Sequence, residues 1–575
     1  MATGNSRKRG GVFLAQALAR KKIAKVFTLC GGFINPVLEG LHESEISVIN
    51  TPHEQVAGHM ADAWTRISNE PAVCLVGPEG FANAVPAMLE AFGNRSPVLF
   101  ITGSSTLRRR GANGFKEVDD VSIAAPITKA SSLVTDGRRI PEFIDKAYYA
   151  SITGEPGPVH VSVPVDLLYS TYDDNEVWQE RPFDHSPKPS QRCSPNAEGL
   201  RALTNLLVAA KRPLFIVGRG VSWASARSEL SELANRNGIP VLNAPYHPKV
   251  LSNDDPAFLG LADIHLYTPA QFALQECDLA VVVGCRLDNM LNFGNPPFFR
   301  TDLTVVTVNG SSTECIENHA AELQVLGDPK LVLAELANAL ESTRGKQDRR
   351  WLEENIARRD LWFRETREYV ANDERLHQGH GIHPLRLSWS LLEGLGHTDW
   401  FIIDGGDTHF WSEIALNLAR RPLRGILQPG PYSLLGPGVA FATTAKLRHP
   451  QAHVVLLSGD GAFLNGGLSI EVAFQEQLPI TVVIDNNNGL GSISQQQVRL
   501  FGTEFKTRFR DIPFHKLFEG LGGAGEIVQE HEELMPALRR AMHSGKPYCL
   551  NVRTRSVASP LVEALLDRRA KSSIE

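Results

Sequence analysis

No two of the chain's seven cysteines (Cys30, Cys74, Cys193, Cys277, Cys285, Cys315 and Cys549) stand at metal-ligand spacing, and their number is odd. A zinc motif and a disulfide framework are thereby excluded, and a reducing, cytoplasmic compartment is expected. No apolar run reaches the roughly 20 residues that a membrane-spanning helix needs. The basic start, MATGNSRKRGG, leads into the amphipathic pattern Val12-Phe13-Leu14-Ala15-Gln16 rather than a long apolar core, so no signal peptide is expected. Neither charge dominates: 58 Lys and Arg against 64 Asp and Glu leave a formal net charge of −6. That balance gives no drive toward nucleic acid or an anionic membrane. Any anionic ligand must be held locally. With 575 residues, 42% of them hydrophobic, the chain is long enough for several domains that each bury a core.

Three stretches alternate short β-branched or aliphatic runs with amphipathic segments of helix length, the pattern of βαβ units. The expected fold class is α/β, with three doubly wound parallel-sheet domains at 1–175, 197–340 and 384–552. Polar connections fill 176–196 and 341–383, and 553–575 forms a C-terminal tail. Sliding 73–97 onto 455–479 needs no gap and brings Val73, Leu75, Gly77, Phe81, Asn83, Ala91, Phe92 and Pro97 onto identical residues. Shared βαβ punctuation is the bland explanation. Eight coincidences in one register favour an internal duplication, with two related domains flanking a different middle one.

In open parallel sheets ligands bind beyond the carboxyl ends of the strands, where a glycine turn lets a helix N-terminus face phosphate. Gly459-Asp460-Gly461 lies at such a turn. A carboxylate there would repel phosphate unless a hard cation stood between them, so Asp460 points to Mg²⁺ bridging a diphosphate. The next strand ends in Asp485-Asn486-Asn487-Asn488-Gly489, where an Asn side-chain oxygen and a backbone carbonyl complete a coordination shell.

GDG, 24 residues and then NN resembles the diphosphate-binding signature of thiamine diphosphate (ThDP) enzymes. The rest of the chain resembles the group of acetolactate synthase, oxalyl-CoA decarboxylase and 2-hydroxyacyl-CoA lyase. The resemblance implies Mg²⁺ held by Asp460, Asn487 and the carbonyl of Gly489, with Gly459, Gly461, Ala462 and Leu490 around the cofactor. It places Asp407, Thr408 and His409 of Gly405-Gly406-Asp407-Thr408-His409 in a second diphosphate loop. His53-Glu54-Gln55 matches the family's glutamate-bearing helix start, and Gly31-Gly32 the loop near the aminopyrimidine. The chemistry requires an acid there. A carboxyl group on the pyrimidine nitrogen stabilises the imino tautomer that removes the thiazolium proton, and Glu54 takes that catalytic role. Read without the resemblance, Glu54 is equally a helix-start carboxylate favoured by the dipole. Leu435 stands where the family places the apolar wedge that bends the cofactor. The family builds its site between subunits, so a homodimer or homotetramer is implied.

For the substrate, Asn486-Asn487-Asn488-Gly489 resembles the NNNG of CoA-thioester members, whereas Gly114-Phe115-Lys116-Glu117-Val118-Asp119 is common to both branches. Gly284-Cys285-Arg286-Leu287-Asp288-Asn289 resembles the segment that approaches an ADP moiety, of FAD or of CoA. Val308-Asn309-Gly310 replaces the usual acidic strand end, which argues against a structural FAD, and Gly218-Arg219-Gly220 is a GxG without its third glycine. The basic, Ser-rich tail with Arg555, Arg568 and Arg569 reads either as a lid over an anionic ligand or as a solvated end, and Arg108-Arg109-Arg110 as a surface run. Phe115, Arg286, Gln495 and the tail arginines are the substrate candidates, and His409 or Gln495 the base. The expected activity is cleavage of a 2-hydroxyacyl-CoA, an acyl-CoA substrate, to a ketone or aldehyde and formyl-CoA. The alternatives are an acetolactate synthase-like carboligase, a 2-oxo acid or oxalyl-CoA decarboxylase, and a silent paralogue.

Overall fold

Runs such as Ala72-Val73-Cys74-Leu75-Val76 and Leu279-Ala280-Val281-Val282-Val283 are apolar at every position because both faces of their sheets are covered by helices. The computed structural model describes residues 7–178, 192–316, 320–341, 349–377, 379–419 and 421–563. These runs build three six-stranded parallel sheets, together with a small antiparallel ribbon of Arg7–Arg9 and Thr171–Asp173.

The chain divides into two compact units. The first holds 1–191, 429–451 and 466–478. Its sheet runs Ser47–Asn50, Lys25–Thr28, Ala72–Val76, Val98–Ser104, Val159–Pro164, Ser131–Leu133, which in chain order is 2-1-3-4-6-5. Successive side chains on a strand face opposite ways. Val73, Leu75, Leu99 and Ile101 therefore enter a core with Leu14, Leu18 and Ile34, while Cys74, Val76, Val98 and Phe100 join Met60, Trp64 and Phe81. Helix Gly438–Arg448 belongs to this unit and packs on helix Glu54–Ser68, with the Phe441 ring edge-on to His59 at 6.1 Å.

The second unit holds two sheets. The middle one runs Phe258–Leu261, Val241–Asn243, Pro213–Val217, Leu279–Val283, Thr304–Asn309, Leu323–Leu326, order 3-2-1-4-5-6, which is the order of dinucleotide-binding folds. The other runs Gly425–Leu427, Trp400–Asp404, Val454–Gly459, Thr481–Asn486, Tyr548–Arg553, Ala524–Val528, again 2-1-3-4-6-5. All three sheets are made of βαβ units, and the two outer ones, which carry 73–97 and 455–479, share an order that the middle one does not. The polar connection at 341–383 contains the 27-residue helix Arg350–Leu376. Its many charges lie outward, and Trp351, Leu352, Phe363 and Val370 bury a narrow stripe inside this unit.

Candidate active site

In the first unit the carboxyl rim of the sheet carries one set of candidate groups. Strand Lys25–Thr28 leads to Gly31-Gly32, where a side chain on either glycine would meet nothing within 4 Å, so the loop backbone is open to a ligand. Strand Ser47–Asn50 leads to His53, which caps helix Glu54–Ser68 by accepting the Gln55 amide on Nδ1 at 3.1 Å. Glu54 then sits in the first helical turn, only 7% exposed. Asn83 Nδ2 donates to Glu54 Oε2 at 2.9 Å. A Cβ on Gly80 would lie 2.7 Å from Glu54 Cγ, so only glycine leaves that carboxylate its place. Behind it, Ser96 Oγ donates to Asp62 Oδ1 at 2.5 Å, Arg66 donates to Asp62 at 3.2 Å, and Glu90 accepts from Asn94 at 2.7 Å and from the Gly430 amide at 2.5 Å. Glu90 thus ties down the start of the segment that carries Leu435, which is 37% exposed.

In the second unit, strand Val454–Gly459 delivers Asp460 to the start of helix Asp460–Gly466, 3% exposed. Its Oδ1 accepts the Gly461 amide at 2.7 Å and its Oδ2 the Gly489 amide at 3.0 Å. Burial, with Asp485 nearby, pushes the Asp460 carboxyl up to about 7. Asp485 is raised by burial as well, although Thr408 Oγ1 at 2.7 Å and the Thr554 hydroxyl both donate to it. Asp407 is raised to about 7, by burial first and then by Asp485. Asn486 and Asn487 diverge. Asn486 Nδ2 donates to Asn551 Oδ1 at 2.8 Å, whereas Asn487 Oδ1 is buried with no hydrogen-bond partner. The Asp460 carboxylate, the orphaned Asn487 side-chain oxygen and the neighbouring Gly489 backbone are hard oxygen donors of the kind a divalent cation takes. Mg²⁺ fits them in ligand type and in charge. Around this set, Gly405 takes φ 133° with its Cβ direction 3.1 Å from the Gly459 amide, and a Cβ on Gly461 would approach Leu490 to 2.8 Å. Ala462, the residue after Gly461, is buried in the same helix start.

The remaining predicted residues fall elsewhere. His409 is 2% exposed, 3.3 Å from Glu413 Oε1 and stacked on Phe410, so it lies inside packing rather than at an open face. Phe115 is 78% exposed in the first unit. Arg286 is paired with Glu314, its Nε donating at 2.6 Å. Arg555 is paired with Asp373 and donates to the Gly381 carbonyl at 3.2 Å. Gln495 Nε2 donates to Ser556 Oγ at 3.0 Å. The tail is therefore fastened at Thr554, Arg555 and Ser556, while Arg568 and Arg569 lie outside the described residues. The Gly218-Arg219-Gly220 turn spends its glycines on packing, because a Cβ on Gly220 would meet Gly284 Cα at 2.5 Å. Asn83 and Gly80 were missed in the sequence. The register that pairs 73–97 with 455–479 sets Asn83 on Asn465 and was the signal that pointed to it.

Family comparisons bear on both rims. Residues 8–123 match the N-terminal TPP binding domain of thiamine pyrophosphate enzymes, 200–336 their central domain, and 404–552 their C-terminal TPP binding domain. The chain is 30% identical over 554 residues to the probable acetolactate synthase of Mycobacterium bovis, spanning 96% of each. The same figures hold for the acetolactate synthase large subunit of Mycobacterium tuberculosis. It is 28% identical over 558 residues to the probable acetolactate synthase large subunit of Methanocaldococcus jannaschii, spanning 95% of this chain and 91% of that one. The chain belongs to the thiamine pyrophosphate enzyme family. Thiamine diphosphate and the Mg²⁺ that accompanies it are its cofactors, and the N-terminal and C-terminal TPP binding domains coincide with the rims of Glu54 and Asp460 respectively. Among these thiamine pyrophosphate enzymes, the relatives named here are acetolactate synthases rather than CoA lyases.

Proposed function

We propose that the protein is an acetolactate synthase-like carboligase that takes a 2-oxo acid, decarboxylates it and joins the remaining two-carbon or longer acyl unit to a second carbonyl compound. The observation that carries this reading is the match over 96% of the chain to a probable acetolactate synthase. The pairing of Arg286 with Glu314 and of Arg555 with Asp373 supports it, since both arginines expected to meet the phosphates of CoA already have carboxylate partners. When bound, thiamine diphosphate supplies a nucleophilic carbon for attack on a carbonyl. In this reading Glu54 holds a proton at the pyrimidine nitrogen, and Asn83 keeps its carboxyl oriented. Asp460, the Asn487 amide oxygen and the Gly489 carbonyl hold Mg²⁺, and the glycines at 405, 459 and 461 let backbone amides approach the diphosphate. Leu435 is the apolar wedge, and assembly into at least a homodimer completes the enzyme.

The 2-hydroxyacyl-CoA lyase reading rests on Asn486-Asn487-Asn488-Gly489. Asn488, however, has a backbone reason to be asparagine. It takes φ 60°, where asparagine is favoured over most residues, and accepts from Arg553 at 3.3 Å. Incubation with pyruvate, thiamine diphosphate and Mg²⁺ is expected to release carbon dioxide and form acetolactate. Formation of formyl-CoA from a 2-hydroxyacyl-CoA, with pyruvate untouched, would restore the lyase and discard the carboligase.

A further inference from the structure

Lys116 stands on the loop between strand Val98–Ser104 and helix Asp120–Ala124, in a left-handed backbone conformation with φ 58°. A lysine rarely adopts that conformation, and its surroundings must hold it there. Two other segments of the first unit and the adjoining Phe115 do so. The ammonium lies 5.7 Å from the centroid of Phe33, which follows Gly31-Gly32, and 5.3 Å from that of Phe115. The two rings are themselves 6.5 Å apart. The third partner is Glu79, with which Lys116 forms an ion pair. Glu79 opens helix Pro78–Gly93 and immediately precedes Gly80, the glycine that makes room for Glu54. Lys116, Glu79, Gly80 and Glu54 are thus consecutive neighbours along one rim.

The ion pair is exposed, with side chains 32% and 52% accessible, and exposed pairs of this kind contribute little. The aromatic contacts fix the ammonium independently of Glu79, so exchanging one carboxylate for another leaves the cation in place. Burial draws the Glu79 carboxyl up, but the hydrogen bond from Lys116, a backbone hydrogen bond at Glu79 itself and the Lys116 charge together leave it below its usual value. We propose that Lys116 is the residue that selects a 2-oxo acid by its carboxylate, which displaces Glu79 from the ammonium as the substrate enters. The inference rests on the 2-oxo acid reading of the site.

The test is steady-state kinetics with pyruvate as donor, on wild type, Lys116→Gln, Lys116→Arg and Glu79→Gln, with thiamine diphosphate affinity measured by fluorescence quenching. Because the pair that is exchanged is exposed, loss of the ammonium is expected to raise KM about fivefold in Lys116→Gln. In that variant kcat stays within about threefold and cofactor affinity is unchanged, while Lys116→Arg retains most of the wild-type KM. Removing the competitor in Glu79→Gln lowers KM, an effect opposite in sign that a merely structural pair would not produce. An unchanged KM in Lys116→Gln, or a rise in both Lys116→Gln and Glu79→Gln, overturns the inference and leaves the carboligase intact. A wild type that turns over no 2-oxo acid removes the function and the inference together.

Discussion

Asn486 turns its amide to Asn551 at 2.8 Å, whereas the side-chain oxygen of Asn487 is buried and unpartnered. The two neighbours should therefore respond differently to substitution. Asn487→Leu removes the proposed metal ligand and an orphaned acceptor at once. It is expected to weaken Mg²⁺ binding tenfold or more, on the order seen when metal-site partners are lost, while the melting temperature of the metal-free protein holds or rises. Asn486→Ala strands the Asn551 side chain and should cost about 1–3 kcal/mol in chemical denaturation, with no direct loss of a Mg²⁺ ligand. Equal effects of the two changes would mean that the asparagines share one task. Asn83 belongs to the same scale. Asn83→Ala frees the Glu54 carboxylate to rotate and should lower kcat by about tenfold, a fraction of the 10²–10⁴ that a positioned acid supplies, without changing thiamine diphosphate affinity. The positions of Glu54 and Asp460 at helix starts and of Asn487 at a strand end were legible in the sequence, while the roles proposed for Glu54 and Asn487 came from the family resemblance. The pairing of Arg286 and Arg555 was not legible. Their partners, Glu314 and Asp373, meet them only through the fold.

Among the elements, the strands were read readily because fully covered parallel strands are apolar at every position and glycine marks their ends. The match between 73–97 and 455–479 was legible as well, and the two sheets that carry it share one order but differ at their helix starts. The register that sets Gly77 on Gly459 sets Pro78 on Asp460, so one helix start presents a carboxylate, the proposed Mg²⁺ ligand, where the other is uncharged at that position. Helix Arg350–Leu376 escaped notice for a physical reason. Its apolar stripe is narrow, and a chain segment dominated by charge looks like a connection until the surface it covers is known. That stripe has measurable consequences. Trp351 is 5% exposed, donates Nε1 to the Pro213 carbonyl at 3.0 Å and lies beside Phe272. Trp351→Ala should lower unfolding free energy by about 3–5 kcal/mol, read as an earlier denaturant midpoint, with pyruvate KM unchanged in protein that remains folded. A loss below about 1 kcal/mol, the range of surface changes, would show that the helix adds little to the second unit.

For the whole molecule, the formal net charge of −6 says little about the local field that matters most. Asp407 and Asp460 are raised to about 7 from an ordinary value of 3.8, by burial first and then by the charge of Asp485, and Asp485 is raised by burial too. A carboxyl held high takes up a proton on folding. The stability it contributes is present at low pH and is lost as pH rises from 3.8 toward about 7. His59 and His160 act the other way. Burial lowers both to about 3 from 6.5, so their neutral folded forms gain stability up to that pH. A raw stability curve mixes the two, but the difference between cofactor-loaded and metal-free protein cancels the histidines. If Mg²⁺ takes the place of the proton on Asp460, as proposed, the stabilisation it gives with thiamine diphosphate grows with pH. The melting temperature gained on adding both cofactors is expected to increase from pH 5.5 to 7.5, and Asp460→Asn should flatten that increase. A gain independent of pH in the wild type would mean that the aspartates do not exchange protons for the cation.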